Sequence, residues 1–574
     1  MRHMSTGCIA AAFCAALSLA PEYRAVAAEA TTPASAPAPA AAVTAAAAPP
    51  TAVASSEDEL RSTVVNILDA LVQKGLLTRE QAQALVADAK QKAAAAAQQR
   101  VAQSTAAEAA VEKDAVRVTY VPQTVKDQIA KDVGAQLRQD VTAQVVQQAR
   151  TERWGVPGAL PEWIRNLRLY GDVRVRAEDA IYASDNTPDF YLNFGAVNAA
   201  GGISKAGVGG LLNVSQNRPR LVGRLRLGGV VQLSDTLRAD FRLASGNPSN
   251  AISTNQTLGA YGSRWQLGVD KAALLWNPHS SSWRQDADVR AGRFDNPFAT
   301  YNELIWDQDL TFEGVAATWN WNRARAADEP ASRWLFVTAG AFPLQEIELT
   351  SRDKWLYGAQ LGTEIPFGHD ARLRVAGGLF DYTNVTGLLN APDSKLLDYS
   401  APAALQKGNT LFDIRNDTDA STNLFALAGK YRLVTGLLQV DLLAFGENHL
   451  VVSGEFVKNI GWKRADVLAL TGVDIAPRTT GYEAGVAVGR LKVAQLGQWR
   501  AALSYRRLER DAVLDAFTDS DFHLGGTDAE GYILSFDYGL GRSAFTRLRY
   551  LSANAIDGPP LGIDVAQLDL VGQF

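Results

Sequence analysis

From residue 167 to the C-terminus, apolar residues recur at every second position. "LRLYGDVRVRAE" sets Leu167, Leu169, Gly171, Val173 and Val175 on one face and Arg168, Tyr170, Asp172, Arg174 and Arg176 on the other. "LVGRLRLGGVVQL" opposes Leu221, Leu225, Leu227, Val231 and Leu233 to Arg224, Arg226 and Gln232, and "LRADFRLAS" opposes Leu237, Ala239, Phe241 and Leu243 to Arg238, Asp240 and Arg242. The chain ends the same way, on "DVAQLDLVGQF", with Phe574, Leu570 and Leu568 on one face and Asp569 and Gln567 on the other. A period of two is a β-strand, because successive side chains point to opposite sides of a sheet.

About sixteen such strands can be placed, an even number of the kind membrane barrels use. They run from 167–178 to 563–574 and include 421–433 and 436–447, joined by "VTG". Connections alternate. Mostly short ones ("SDT", "PFGHD", "VTG", "GLG") follow even-numbered strands, with two longer near 278–285 and 322–332, and mostly long ones (179–219, 246–263, 294–310, 383–420, 448–478, 509–528) follow odd-numbered strands. A barrel with an aqueous bore accounts for a polar face on every strand. In lipid, only a closed sheet leaves no unpaired backbone edge. The fold class expected is therefore an all-β transmembrane barrel of about sixteen antiparallel strands over 165–574, with short turns in the periplasm and long loops outside.

The N-terminal part is of another kind. Residues 1–27 read as a signal peptide: Arg2 and His3, an apolar stretch "CIAAAFCAALSLA" within the usual length of about 7–15 residues, and "AVAA" as a cleavage site. Both cysteines, Cys8 and Cys14, lie inside it, so the mature chain is expected to carry neither disulfides nor thiol-bound metal. Residues 28–55 are an Ala/Pro-rich linker. Residues 56–160 read as a periplasmic α-helical segment. Acidic residues Glu57, Asp58 and Glu59 begin a first helix, Gly75 caps it, and Thr78 with Gln81 opens a second. A later stripe (Val125, Ile129, Val133, Leu137, Val141, Val145) recurs every four residues, which fits a coiled coil poorly and a helix packed on a partner better.

The segments "KGLLTREQAQALVADA", "RVTYVPQTVKDQIAKDV", "PEWIRNLRLYGDVRVRAE", "RLRLGGVVQLSDTLRADFRLASGNPSNAISTNQTLG" and "RAGRFDNPF" resemble the putative porin family of Gram-negative bacteria. The resemblance runs from residue 57 to 574 and implies an outer-membrane channel. It also implies that the barrel-assembly machinery reads the terminal strand ending in Phe574. Analogy with general porins adds a homotrimer. In those porins the third long loop folds inward and narrows the bore.

The expected lumen face of the first five strands is rich in arginine: Arg168, Arg174, Arg176, Arg224, Arg226, Arg238, Arg242 and Arg290. The loop after the fifth strand carries Asp295, Glu303, Asp307 and Asp309. Clustered guanidiniums repel unless carboxylates intervene, so this loop is expected to enter the bore and face them. The alternative is a loop that stays outside over solvated arginines. "NPSNAISTNQTLG" (247–259) reads as a surface loop, with an entrance lining as the alternative, and Tyr431, Trp499, Tyr505, Tyr532, Tyr538 and Tyr550 as interfacial aromatics.

No enzyme signature is present. His279, His369, His449 and His523 are scattered through turns and loops, and there is no HExxH, GxSxG or P-loop. No cofactor or metal site is expected, and a net charge of -5 gives no reason to invoke nucleic acid. The expected partners are outer-membrane lipid and small hydrophilic solutes. The leading reading is a passive diffusion channel. An anion-preferring selective channel and a structural or adhesin-type barrel stand beside it.

Overall fold

The computed structural model describes Ala87, Gln91, Lys92, Ala95, residues 141–145, 147–148 and 166–574, except 279–284, 323–332, 349, 368–369 and 420. The described residues before 166 are helical. The signal peptide, the linker and most of the helical segment, with its coiled-coil alternative, lie outside the described residues. The chain divides into two compact units, Met1–Ile129 and Ala130–Phe574. The second contains the barrel.

Sixteen long strands close one sheet. The first eight are β1 (Leu167–Tyr182), β2 (Arg218–Gln232), β3 (Leu237–Ser245), β5 (Leu267–Trp276), β6 (Gln285–Asp295), β7 (Thr311–Asn322), β8 (Arg333–Gln345) and β9 (Lys354–Phe367). The second eight are β10 (Ala371–Thr383), β13 (Tyr431–Phe445), β14 (Asn448–Asn459), β15 (Thr480–Gly489), β16 (Trp499–Leu508), β17 (Ala529–Gly539), β18 (Ala544–Ala555) and β19 (Gly562–Gln573). A short β4 (Gln256–Thr257) pairs with β2, and a hairpin of β11 (Leu411–Asp413) with β12 (Phe425–Leu427) lies in a loop. Every barrel strand pairs antiparallel with its sequence neighbour, and β1 pairs with both β2 and β19, which closes the sheet.

The two faces follow the alternation. Leu169, Val173 and Val175 of β1, Leu221 and Leu227 of β2, and Tyr532, Leu534 and Phe536 of β17 are exposed, while Asp172, Arg174, Arg176 and Glu178 of β1 are buried. An apolar skin around a charged interior is the reverse of a soluble domain and is what a bilayer selects.

One stretch departs from the sequence reading. The expected strands 421–433 and 436–447 are not a hairpin. β13 runs straight through Val434–Thr435–Gly436, and the next strand, β14, lies in what reads as a loop. The alternation explains it: Leu433, Thr435 and Leu437 all point inward and are buried. The real turn comes at Gly446, whose φ of 57° is the left-handed conformation a tight turn needs. Gly436 has no such angle. The two errors cancel, so the strand number stays at sixteen and the short–long alternation is kept.

Candidate functional site: the loop across the bore

Residues 296–310, which join β6 to β7, fold inward. Leu304, Ile305, Trp306, Asp307, Asp309 and Leu310 are all buried. The loop shapes itself locally: the Asn296 and Asn302 side chains accept hydrogen bonds from the backbone N–H of Phe298 and Leu304. It is pinned to one wall by Gln360 of β9, which accepts from Ala299 N–H (2.7 Å) and donates to Ala299 C=O (2.9 Å). Phe298 and Trp306 both pack on Phe380 of β10 with ring centroids 4.8 Å apart. From there the chain reaches the opposite wall. Asp309 lies 3.1 Å from Arg226 and 3.4 Å from Arg224, both on β2, and Glu303 lies 3.7 Å from Arg549 on β18. The loop therefore touches the eighth and ninth strands of the cylinder at one end and the second and fifteenth at the other.

The β1–β2 register explains why a carboxylate is needed there. Arg174 stands directly opposite Arg224, and Asp172 opposite Arg226. Like charges in opposed positions destabilise a sheet. Asp172 accepts from both Arg224 (2.9 Å) and Arg226 (2.6 Å), and Asp309 supplies the second negative charge. Thr254 donates to Asp309 at 3.0 Å, and Asn255 accepts from Arg174. The 247–259 segment is thus not merely a surface loop. Ile252 and Thr254 are buried, and its hydroxyl and amide groups complete the charge cluster. Burial opposes ionisation of Asp309, but the guanidiniums of Arg224, Arg226 and Arg174 outweigh it and hold the carboxyl below its usual range.

A second row of arginines, not among the expected pore-lining residues, grips another loop. Residues 509–528, between β16 and β17, also fold inward. Arg506 of β16 bonds Glu483 of β15 (2.7 Å) and Asp519 (2.9 Å), and Arg549 bonds Asp521 (2.9 Å). Arg176 of β1 reaches the same Asp521 at 3.0 Å. The two loops join: Asp307 N–H donates to Phe517 C=O, and Ser520 N–H donates to the Asp307 carboxylate, each at 2.8 Å. Carboxylate oxygens of Glu303, Asp307 and Asp519 come within 4.8 Å of one another. Burial and the neighbouring carboxylates push Glu303 up to about 8 and Asp307 up to about 9. The signal that would have found this row was present. Arg506 and Arg549 alternate with outward residues, and "DSD" puts Asp519 and Asp521 two apart.

The structure brings together Arg174, Arg176, Arg224, Arg226, Glu303, Asp307 and Asp309. Arg242 sits further round, bonded to Asp270 of β5, with Asp295 3.7 Å away. Arg238 donates to Asn277, Arg290 bonds Asp288 at 2.7 Å, and Arg168 is exposed near the start of β1. These three lie outside the cluster. Of the expected interfacial aromatics, Tyr532 and Tyr538 are exposed on the outer face. Tyr431 is instead buried inside, where its hydroxyl donates to Asp511 at 3.1 Å. Phe574 is exposed at the end of the closing strand.

A closed sheet of sixteen strands, with an apolar outer face, paired charges within and a loop laid across its bore, defines a porin-class outer-membrane barrel. The chain belongs to the family described as "Putative porin", which it matches over residues 61–574. A search of curated proteins finds no match. Solved structures with low similarity include OprB of Pseudomonas putida at high pH (11% identity, TM-score 0.40, covering 72% of this chain and 95% of that one). Salmonella typhi OmpF in complex with daunomycin gives 9% identity, a TM-score of 0.36 and coverage of 71% and 97%. Pseudomonas aeruginosa OccK9 (OpdG) gives 11%, 0.33, and coverage of 72% and 100%.

Proposed function

We propose that this porin-family barrel is a passive diffusion channel for small hydrophilic solutes. Its narrow zone is set by the loop 296–310 and lined by Arg174, Arg176, Arg224, Arg226, Glu303, Asp307 and Asp309. The observation that carries this reading is the crossing of the bore by that loop, with Asp309 bridging Arg224 and Arg226. Selectivity in such a channel follows the charges at its constriction. Here Arg174, Arg176, Arg224, Arg226, Arg242, Arg506 and Arg549 each lie within 4.0 Å of a carboxylate. That pairing favours weak ion selectivity over a strong preference for anions. Arg168, Arg238 and Arg290 line wider parts of the lumen in this reading.

The exposed Phe574 end of β19 is the part offered to the assembly machinery, and the helical segment before residue 160 faces the periplasm. The homotrimer rests on analogy with general porins. Planar-bilayer recording of the purified protein tests the function. Stepwise conductance with a cation-to-anion permeability ratio near one supports it, and a barrel that never conducts is a structural or adhesin-type protein instead.

A further inference from the structure

At the long-loop end, outside the narrow zone, β1, β2 and β19 meet the loops 183–217, 384–430 and 509–528 around a cavity of about 300 Å³. Its lining combines apolar side chains, Leu212, Leu405, Leu561 and Ile563, with the amides Asn193, Asn213 and Gln406. Two cations line it, Arg218 and Lys407, and no Asp or Glu does, in a chain whose acidic residues outnumber its basic ones. We infer that this cavity is a binding site for a small organic anion, a carboxylate attached to an apolar body of about one ring.

Three observations carry the inference. The volume sits at the lower end of the roughly 300–1,000 Å³ typical of small-molecule sites, which restricts the ligand to a compact one. The Lys407 ammonium has three N–H donors. The carbonyls of His523 and Gly525 take two and hold the side chain in place, leaving one for a ligand. Arg218 is exposed and has no carboxylate within salt-bridge distance among the described residues, so its fork is free to take an anion in bidentate fashion.

The groups acting on Lys407 are Asp515 and His523 from the 509–528 loop, and Arg218 and Tyr182 line the same cavity. Burial lowers the Lys407 ammonium to about 7, against the opposing pull of Asp515, and His523 is held neutral by burial and by Lys407. A carboxylate in the cavity restores the lysine charge, so binding takes up a proton.

The site goes beyond the channel reading and does not require the barrel to conduct. The test is calorimetric titration of the detergent-solubilised full chain with benzoate and with its neutral isostere benzamide. The inference expects benzoate to bind at least about tenfold more tightly than benzamide, the worth of one charge-assisted contact. It also expects affinity to rise as pH falls through about 7, and Arg218→Gln to lose about tenfold for benzoate while leaving benzamide unchanged. Arg218 lies at the exposed rim, so this variant retains the fold even where Lys407→Met does not. Equal binding of the two probes, or no heat from either at about 10 mM, an order of magnitude above a ~1 mM Kd, overturns it.

Discussion

Arg176 on the first barrel strand and Asp569 on the last, 393 residues apart, share two hydrogen bonds across the seam where the sheet closes, from Nε at 2.6 Å and from Nη2 at 3.0 Å. They are directly opposed in the β1–β19 register, and Arg176 is among the largest fully buried side chains. The guanidinium also holds Asp521 at 3.0 Å and Glu178 at 3.6 Å. Closing the sheet and anchoring the 509–528 loop are thus tasks of one residue. Arg176→Met leaves buried Asp569 without its main partner, removes one of the two arginines on Asp521, and costs about 3–5 kcal/mol, as breaking a buried ion pair does. The double variant with Asp569→Asn recovers part of this loss. The readout is the temperature at which the compact, fast-migrating barrel converts to the unfolded band on a detergent gel. An Arg176→Met barrel that converts at the wild-type temperature contradicts the assignment.

Removing Arg224 and Arg226 together acts on the bore. With both changed to Ala, Asp172 and Asp309 lose the cations they bridge, and the 296–310 loop loses its hold on β2. Unit conductance rises because the bore widens, and permeability shifts toward cations because carboxylates are left unneutralised. Single-channel recording in a salt gradient measures both. Conductance and reversal potential both equal to wild type would falsify the placement of the narrow zone.

The barrel was legible because its rule is local. Each strand declares its two faces by alternation, and the lengths of successive connections give the topology. The error at residues 421–447 arose where a glycine inside a strand, Gly436, resembles a turn. Only its pairing with Gly377 on one side and Phe456 on the other shows that it continues the ladder. The cluster was legible in half. Arg174, Arg176, Arg224 and Arg226 are adjacent on neighbouring strands, so their mutual repulsion could be read from sequence. Arg506 and Arg549 face the same bore from the far end of the chain; closure puts strand sixteen beside strand one, but no local feature says that the 509–528 loop folds in to meet them. Tyr431 misled for a related reason. An aromatic at a strand end suits the lipid interface, and only register shows that it points inward to Asp511.

Gly171 and Phe574 exchange both backbone hydrogen bonds, N–H to C=O at 2.9 and 3.1 Å, at the foot of the seam. The Phe574 ring lies over the glycine. A Cβ built there would stand 2.6 Å from the ring's Cζ and 2.5 Å from the Arg226 carbonyl oxygen. The ring can swing away, but the carbonyl belongs to the sheet. Gly171→Val therefore displaces the last residue from the first strand and slows closure of the barrel. In an in vitro folding assay into lipid vesicles, the folded fraction at early times falls for Gly171→Val. Gly436→Val, on a strand with open space around its glycine, leaves it unchanged. Equal folding of the two variants would remove any special role for the Gly171–Phe574 contact.

The carboxyl cluster between the two inward loops gives a pH dependence with a fixed sign. Burial first, and then the charges of Glu303, Asp519 and Asp309, raise Asp307 to about 9. Burial and Asp519 raise Glu303 to about 8, with Arg549 opposing. An unfolded carboxyl releases its proton near pH 4. Between that value and the raised ones the folded state binds more protons than the unfolded state, so stability falls as pH rises across this interval. The stabilising contribution is complete below about pH 4 and gone once pH has passed through about 9. Deprotonation sets the Asp307 charge against Asp519 of the facing loop, within 4.8 Å, and that repulsion weakens the contact between 296–310 and 509–528 that Asp307 makes with Ser520 and Phe517. Hydrogen exchange of peptides from the 296–310 loop therefore speeds up above about pH 8 by more than the intrinsic base catalysis of exchange. Asp307→Asn keeps the shape and hydrogen-bonding capacity of the neutral acid but cannot lose its charge-determining proton, so it flattens that excess. If the variant keeps the full alkaline excess, the proton that holds the two loops together lies elsewhere.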